Sequence, residues 1–106
     1  MKATILHNPR CSKSREALAI LHETGAEVSV IDYLEHPPTR NELARLYARA
    51  GVSPRDGLRK DAPKVANDAA ALDLMVLDPS TIERPLVGTD KGVRLCRPPS
   101  AIKDVL

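Results

Sequence analysis

Between Ala3 and Ile31 the chain spells a strand, a helix and a second strand with almost nothing between them. Ala3–His7 (ATILH) is a short β-type run, and Asn8-Pro9-Arg10-Cys11-Ser12 reads as a loop that ends in a helix N-cap. From Ser14 the pattern turns helical: Ala17, Leu18, Ile20 and Leu21 form one apolar stripe, and Gly25 supplies the stop. Glu27–Ile31 (EVSVI) follows after a very tight turn, with Val28 and Val30 on one face. A parallel βαβ unit is the expected result, and its crossover should be right-handed.

Pro37-Pro38 ends the extended stretch. Thr39 and Glu42 then fit a capping box ahead of Leu43, Leu46 and Tyr47, so a second helix should run to about Ala50, before Gly51. Ser53-Pro54 repeats the start signal and predicts a brief turn through Leu58-Arg59-Lys60, broken by Asp61-Ala62-Pro63-Lys64. Val65–Leu77 is long and apolar enough for a helix, stopped by Asp78-Pro79. Leu86–Thr89 and Val93–Cys96, joined through Asp90-Lys91-Gly92, carry a hairpin signature. Pro98-Pro99 stops the last strand, and Ser100–Leu106 should form a short docked helix through Ile102, Val105 and Leu106. The expected class is α/β. A parallel βαβ start and an antiparallel ββ hairpin near the end make a mixed four-stranded sheet flanked by helices, the thioredoxin-like order, and residues 1–106 should form a single domain.

Composition removes several classes of function. A net charge of +2 is too small to be the footprint of a nucleic-acid binder, and Tyr33 and Tyr47 as the only aromatics leave no stacking platform. The core must therefore be aliphatic. No apolar run approaches the ~20 residues of a membrane span, and Met1–His7 lacks the apolar region of a secretion signal, so nucleic acid and membrane are not expected partners and a cytoplasmic protein is. Cys11 and Cys96 are too few for a disulfide scaffold.

Cys11 is the residue on which chemistry turns. It sits where a strand passes into a helix, so the free backbone N–H groups of Ser12, Lys13 and Ser14 can point at its sulfur while the helix dipole favours negative charge. Arg10, Lys13 and Arg15 add local positive charge, and His7 would add more if protonated. A lowered thiol pKa is the expected result, in a position that also suits a small oxyanion. The alternative is a small buried thiol in a turn.

At this point the residues His7-Asn8-Pro9-Arg10-Cys11-Ser12-Lys13-Ser14-Arg15 resemble the active-site loop of the glutaredoxin-linked arsenate reductase (ArsC) family, and closely its arsenate-reductase-related branch. Leu58-Arg59-Lys60, Glu83-Arg84-Pro85 and Leu95-Cys96-Arg97-Pro98-Pro99 follow in the family's order. The resemblance implies a thioredoxin-like fold. It also implies that Cys11 is the nucleophile, that Arg59, Arg84 and Arg97 surround the arsenic oxyanion, and that Pro85 matches the cis-proline beside the nucleophile. Glutathione as co-substrate and glutaredoxin as partner are implied with it, and no bound cofactor. The chemistry suits these residues, because a charged tetrahedral oxyanion repels a thiolate unless guanidinium groups neutralise it.

Two departures mark the chain. Ser12-Lys13 stands where well-established members of the family have Gly-Thr, and the stretch between Lys60 and Glu83 is short. Asn8 and Ser14 could orient the loop, although both are also ordinary turn and cap residues. His7 is either a site residue or a satisfied strand-end histidine. Cys96 reads as core packing, turned away from Arg97 by strand alternation. His22 and His36 have no partners at metal-ligand spacing, so no metal is expected. The scaffold also resembles Spx-type regulators that contact RNA polymerase; these commonly carry a Cys-x-x-Cys switch, where this chain has Ser14.

Overall fold

All residues from Met1 to Leu106 are described by the structure, a computed structural model. Its strands are β1 (Lys2–His7), β2 (Glu27–Asp32), β3 (Leu86–Thr89) and β4 (Gly92–Leu95), and its α-helices α1 (Ser12–Glu23), α2 (Arg40–Ala50) and α3 (Asp68–Leu77). β1 lies inside a sheet of order β2-β1-β3-β4, parallel to β2 with Leu6 opposite Ile31, and antiparallel to β3 with Leu6 opposite Leu86. β3 and β4 form the expected hairpin.

Strand alternation divides the core into two layers. Ala3 and Ile5 turn to one face and pack with Ala17 and Leu21 of α1, Val87, Cys96, Ile102 and Val105. Leu6, Leu86 and Val93 turn to the other, against Leu43 and Tyr47 of α2, Leu72 and Met75 of α3, Tyr33 and Ile82. Each helix begins where its sequence dictates. Thr39 and Glu42 form the complete capping box of α2, and Gly51 closes that helix in the left-handed region at φ 66°. No helix is long and apolar enough to cross a membrane.

The structure departs from expectation in four places. α3 starts at Asp68 rather than near Val65, because Asn67 caps it by accepting from the Ala70 N–H at 2.8 Å. Residues 54–57 do form a turn, but Leu58 leaves it to pair with Ile82 in an isolated antiparallel bridge. β4 ends at Leu95, so Cys96 lies just beyond the strand, yet it is fully buried as a core residue. The C-terminal helix, Pro99–Val105, is 3-10 and not α; it begins at proline, and Ile102 and Val105 fill the α1 layer at its period of three.

Candidate active site

The loop after β1 is held from inside. His7 shares the face of Ala3 and Ile5, which directs it at α1, and its Nδ1 lies 2.6 Å from Ser14 Oγ. That same Oγ accepts from the Asn8 N–H at 3.0 Å. With one proton and two lone pairs, Ser14 Oγ can serve Nδ1 as donor or as acceptor while it accepts from Asn8, according to the histidine tautomer. Asn8 Oδ1 accepts from the Arg10 N–H at 3.0 Å, and Asn8 Nδ2 donates to Tyr33 Oη at 3.5 Å. His7, Asn8 and Ser14 are all buried, so these bonds are shielded from water. Asn8 and Ser14 thus orient the loop. His7 is a satisfied strand-end histidine, and burial pushes its pKa down, so it adds no positive charge for Cys11 at neutral pH.

Cys11 is the N-cap of α1, with extended backbone angles, and its N–H donates to Asn8 O at 3.0 Å. Burial alone would raise its thiol pKa. The backbone N–H of Ser14, a hydrogen bond and charge from Arg84, and the backbone N–H of Lys13 outweigh that effect and leave it lowered. Arg15 Nη1 donates to Pro9 O at 2.9 Å, which braces the outside of the loop.

Arg59 and Arg84 are positioned by one pairing. Around the Leu58–Ile82 bridge, the Glu83 N–H donates to Gly57 O at 2.8 Å and the Arg59 N–H to Thr81 O at 2.9 Å. This short ladder brings the turn after Ser53-Pro54 alongside Glu83-Arg84. It requires glycine at residue 57, since a Cβ there would lie 2.4 Å from the Tyr47 ring. Arg97 arrives from the end of β4, and its Nη1 stands 3.8 Å from Cys11 Sγ and donates to Arg84 O at 3.1 Å. Arg59 Nε pairs with Asp61 at 3.4 Å. Burial raises the Tyr33 pKa, and the charges of Arg84 and Arg59 act against that rise.

Arg84 carries the clearest chemical signal. Its Nε and Nη1 are buried and have no hydrogen-bond partner, a costly condition for a guanidinium unless an anion completes it. The Arg84–Pro85 peptide is cis, as the resemblance implies, and so is Arg97–Pro98. Nowhere do three His, Cys, Asp or Glu side chains converge as metal ligands. A groove of about 820 Å³ is bounded by residues of the 53–68 segment including Arg59, and Cys11 does not line it.

Tyr33, Gly57 and Glu83 are the neighbours of the site that sequence reasoning did not single out for it. Tyr33 had a usable signal, being one of two aromatic residues in the chain and placed at the end of a strand parallel to the one that carries the cysteine loop.

Comparison with known proteins places the chain. Residues 6–105 match the model of the ArsC family. The arsenate reductase of Escherichia coli (strain K12) is 41% identical over 112 aligned residues, covering 97% of this chain and 79% of that protein. That of Rhizobium meliloti (strain 1021) is 38% identical, covering 100% of this chain and 82% of its own length. Among solved structures, an arsenate reductase from Vibrio cholerae superposes with a TM-score of 0.92 at 37% identity, covering 100% of this chain and 98% of that one. A cysteine at a helix N-terminus among three arginines, in a sheet of this order, is therefore accompanied by a match along almost the whole sequence, and the chain belongs to the ArsC family.

Proposed function

We propose that this protein is a thiol-dependent arsenate reductase. Cys11 is the nucleophile: its thiolate attacks arsenic(V), and one arsenate oxygen leaves as water after protonation, giving a thio-arsenate adduct. Glutathione then supplies the second thiol. With two thiols contributing the two electrons, arsenite is released and Cys11 is left in a mixed disulfide that glutaredoxin resolves. Arg84 and Arg97 meet the oxyanion beside the sulfur, and Arg59 closes the site from the 57–59 segment.

The observation that carries this reading is the pair of buried, unpartnered Arg84 nitrogens next to a cysteine whose thiol pKa is lowered. An enzyme that stabilises a thiolate and also desolvates a guanidinium beside it is arranged for an anion that the thiolate attacks. The similarity to arsenate reductases supports arsenate as that anion. Both cysteines are free, which suits a reducing compartment such as the cytoplasm.

The deciding experiment is an arsenate reduction assay with glutathione and glutaredoxin, run on the wild type and on Cys11→Ser. Turnover by the wild type and none by the variant is the expected result. Equal rates in both, or no turnover with either, would remove the proposal.

A further inference from the structure

Two carboxylates touch the arginine set: Asp61 pairs with Arg59, and Glu83 pairs with Arg97, the arginine nearest the sulfur. The Glu83 side chain is 18% exposed, against 39% for the Arg97 side chain with which it pairs. The backbone of Glu83 is anchored by its N–H to Gly57 O at 2.8 Å. From that anchor Oε1 reaches Arg97 Nε at 3.7 Å and accepts from the Arg84 N–H at 3.4 Å. The next carbonyl, Arg84 O, takes Arg97 Nη1 at 3.1 Å. Two consecutive residues thus hold one guanidinium at two points, Nε and Nη1, and Nη1 stands 3.8 Å from Cys11 Sγ.

An arginine at the surface samples many rotamers and does not hold a fixed aim without such partners. No other carboxylate pairs with Arg97. We propose that Glu83 is a positioning residue, which aims Arg97 at the sulfur of Cys11 and at the oxyanion that binds there. The arrangement also sets how the anion is received. With Nε held by the carboxylate and Nη1 shared between Arg84 O and Cys11 Sγ, Arg97 keeps Nη2 for the incoming oxyanion. Glu83 therefore helps to set which guanidinium nitrogen is presented. This inference deepens the arsenate reading for the oxyanion, but the effect on Cys11 itself does not depend on which anion binds.

The test is the rate of Cys11 alkylation by iodoacetamide across pH, with and without arsenate, in the wild type, Glu83→Gln and Glu83→Ala. Glutamine retains an oxygen for Arg97 Nε and the Arg84 N–H, whereas alanine retains nothing. Glu83→Ala should raise the pH midpoint of alkylation and raise the arsenate concentration for half-protection about 5- to 10-fold, the loss of roughly one hydrogen bond. Glu83→Gln should stay close to the wild type in both. Glu83→Ala should add no further loss on top of Arg97→Ala, since the two act as one unit.

An unchanged midpoint in Glu83→Ala would overturn the proposal. Tighter arsenate protection in that variant would do the same, by showing that the carboxylate only competes with the anion. Equal losses in the glutamine and alanine variants, tracking their melting temperatures, would reduce Glu83 to a structural role. If alanine prevents folding, the glutamine variant decides through its midpoint: a wild-type value supports positioning and a raised one refutes it. Absence of arsenate protection in the wild type would sink the arsenate reading alone, and the alkylation midpoints would still decide the role of Glu83.

Discussion

Ser14 Oγ serves His7 and Asn8 at once, standing 2.6 Å from the histidine Nδ1 and accepting the asparagine N–H at 3.0 Å. Replacing it with alanine strands a buried N–H and a buried ring nitrogen together. Ser14→Ala should lose about 1–3 kcal/mol of stability in denaturant titration. Its Cys11 alkylation should also slow, because the loop that presents the sulfur loosens. Unchanged values for both would show that the loop is held from elsewhere.

The same histidine sets an acid limit. Burial depresses its folded pKa below the ordinary histidine value of 6.5, so the folded state prefers neutral His7. The stability this contributes is present above about pH 6.5 and is lost as pH falls through the folded pKa. Denaturant midpoints at pH 7 and pH 5 should differ more for the wild type than for His7→Gln, which cannot titrate.

The two thiols should behave in opposite ways. Cys11 is lowered by the Ser14 N–H, Arg84 and the Lys13 N–H against the opposing effect of burial, whereas burial pushes Cys96 up to about 12. At pH 8 a thiol reagent should titrate one cysteine in the native protein and the second only after denaturation. A raised folded pKa stabilises below the unfolded value and loses that contribution as pH rises towards the folded one, so Cys96 adds an alkaline loss of stability that begins near pH 9. Thermal melts should show less of that loss in Cys96→Ala.

Arg84 should trade stability for function. Its unpartnered nitrogens are desolvated without compensation, so Arg84→Met should fold at least as stably as the wild type. Its arsenate reduction rate should fall roughly 10²–10³-fold, the scale of a lost oxyanion donor. A large drop in melting temperature would show that the guanidinium is satisfied within the protein.

Gly57→Ala probes the ladder that positions Arg59. The added methyl would meet Tyr47 ring atoms at 2.4 and 2.6 Å, and a buried ring has little room to move. Overpacking should cost about 1–3 kcal/mol. Because residue 57 also accepts the Glu83 N–H, arsenate affinity should weaken with it. A stable variant with wild-type affinity would argue that Tyr47 can swing aside.

The sheet was legible because its strands announce themselves by alternation and its first three elements leave no slack for another pairing. The capping box at Thr39 and Glu42 is equally local, and it appears as read. The Leu58–Ile82 bridge was not legible. It is a single pairing between irregular segments, with no period for a pattern to reveal, and the Ser53-Pro54 start signal pointed to a turn there. Glu83 escaped notice for a related reason: its partner Arg97 is brought near by the hairpin fold and not by spacing in the chain. The sequence leaves open whether His7 is charged: its pKa is lowered because a strand-end residue facing a helix is desolvated, which sequence position alone does not reveal.

Arg97 and Cys11 meet although they stand 86 positions apart. During synthesis the cysteine emerges 86 positions before its arginine, and β1 also waits long for its antiparallel neighbour β3. Early in that interval the first helix can form and offer its N–H groups to the sulfur, but the guanidinium groups have yet to be made. A chain halted early therefore carries a thiol without its anion site. Full reactivity of Cys11 towards an oxyanion is in this sense a signal of completed folding, and truncation near the C-terminus should extinguish it as surely as mutation of the cysteine.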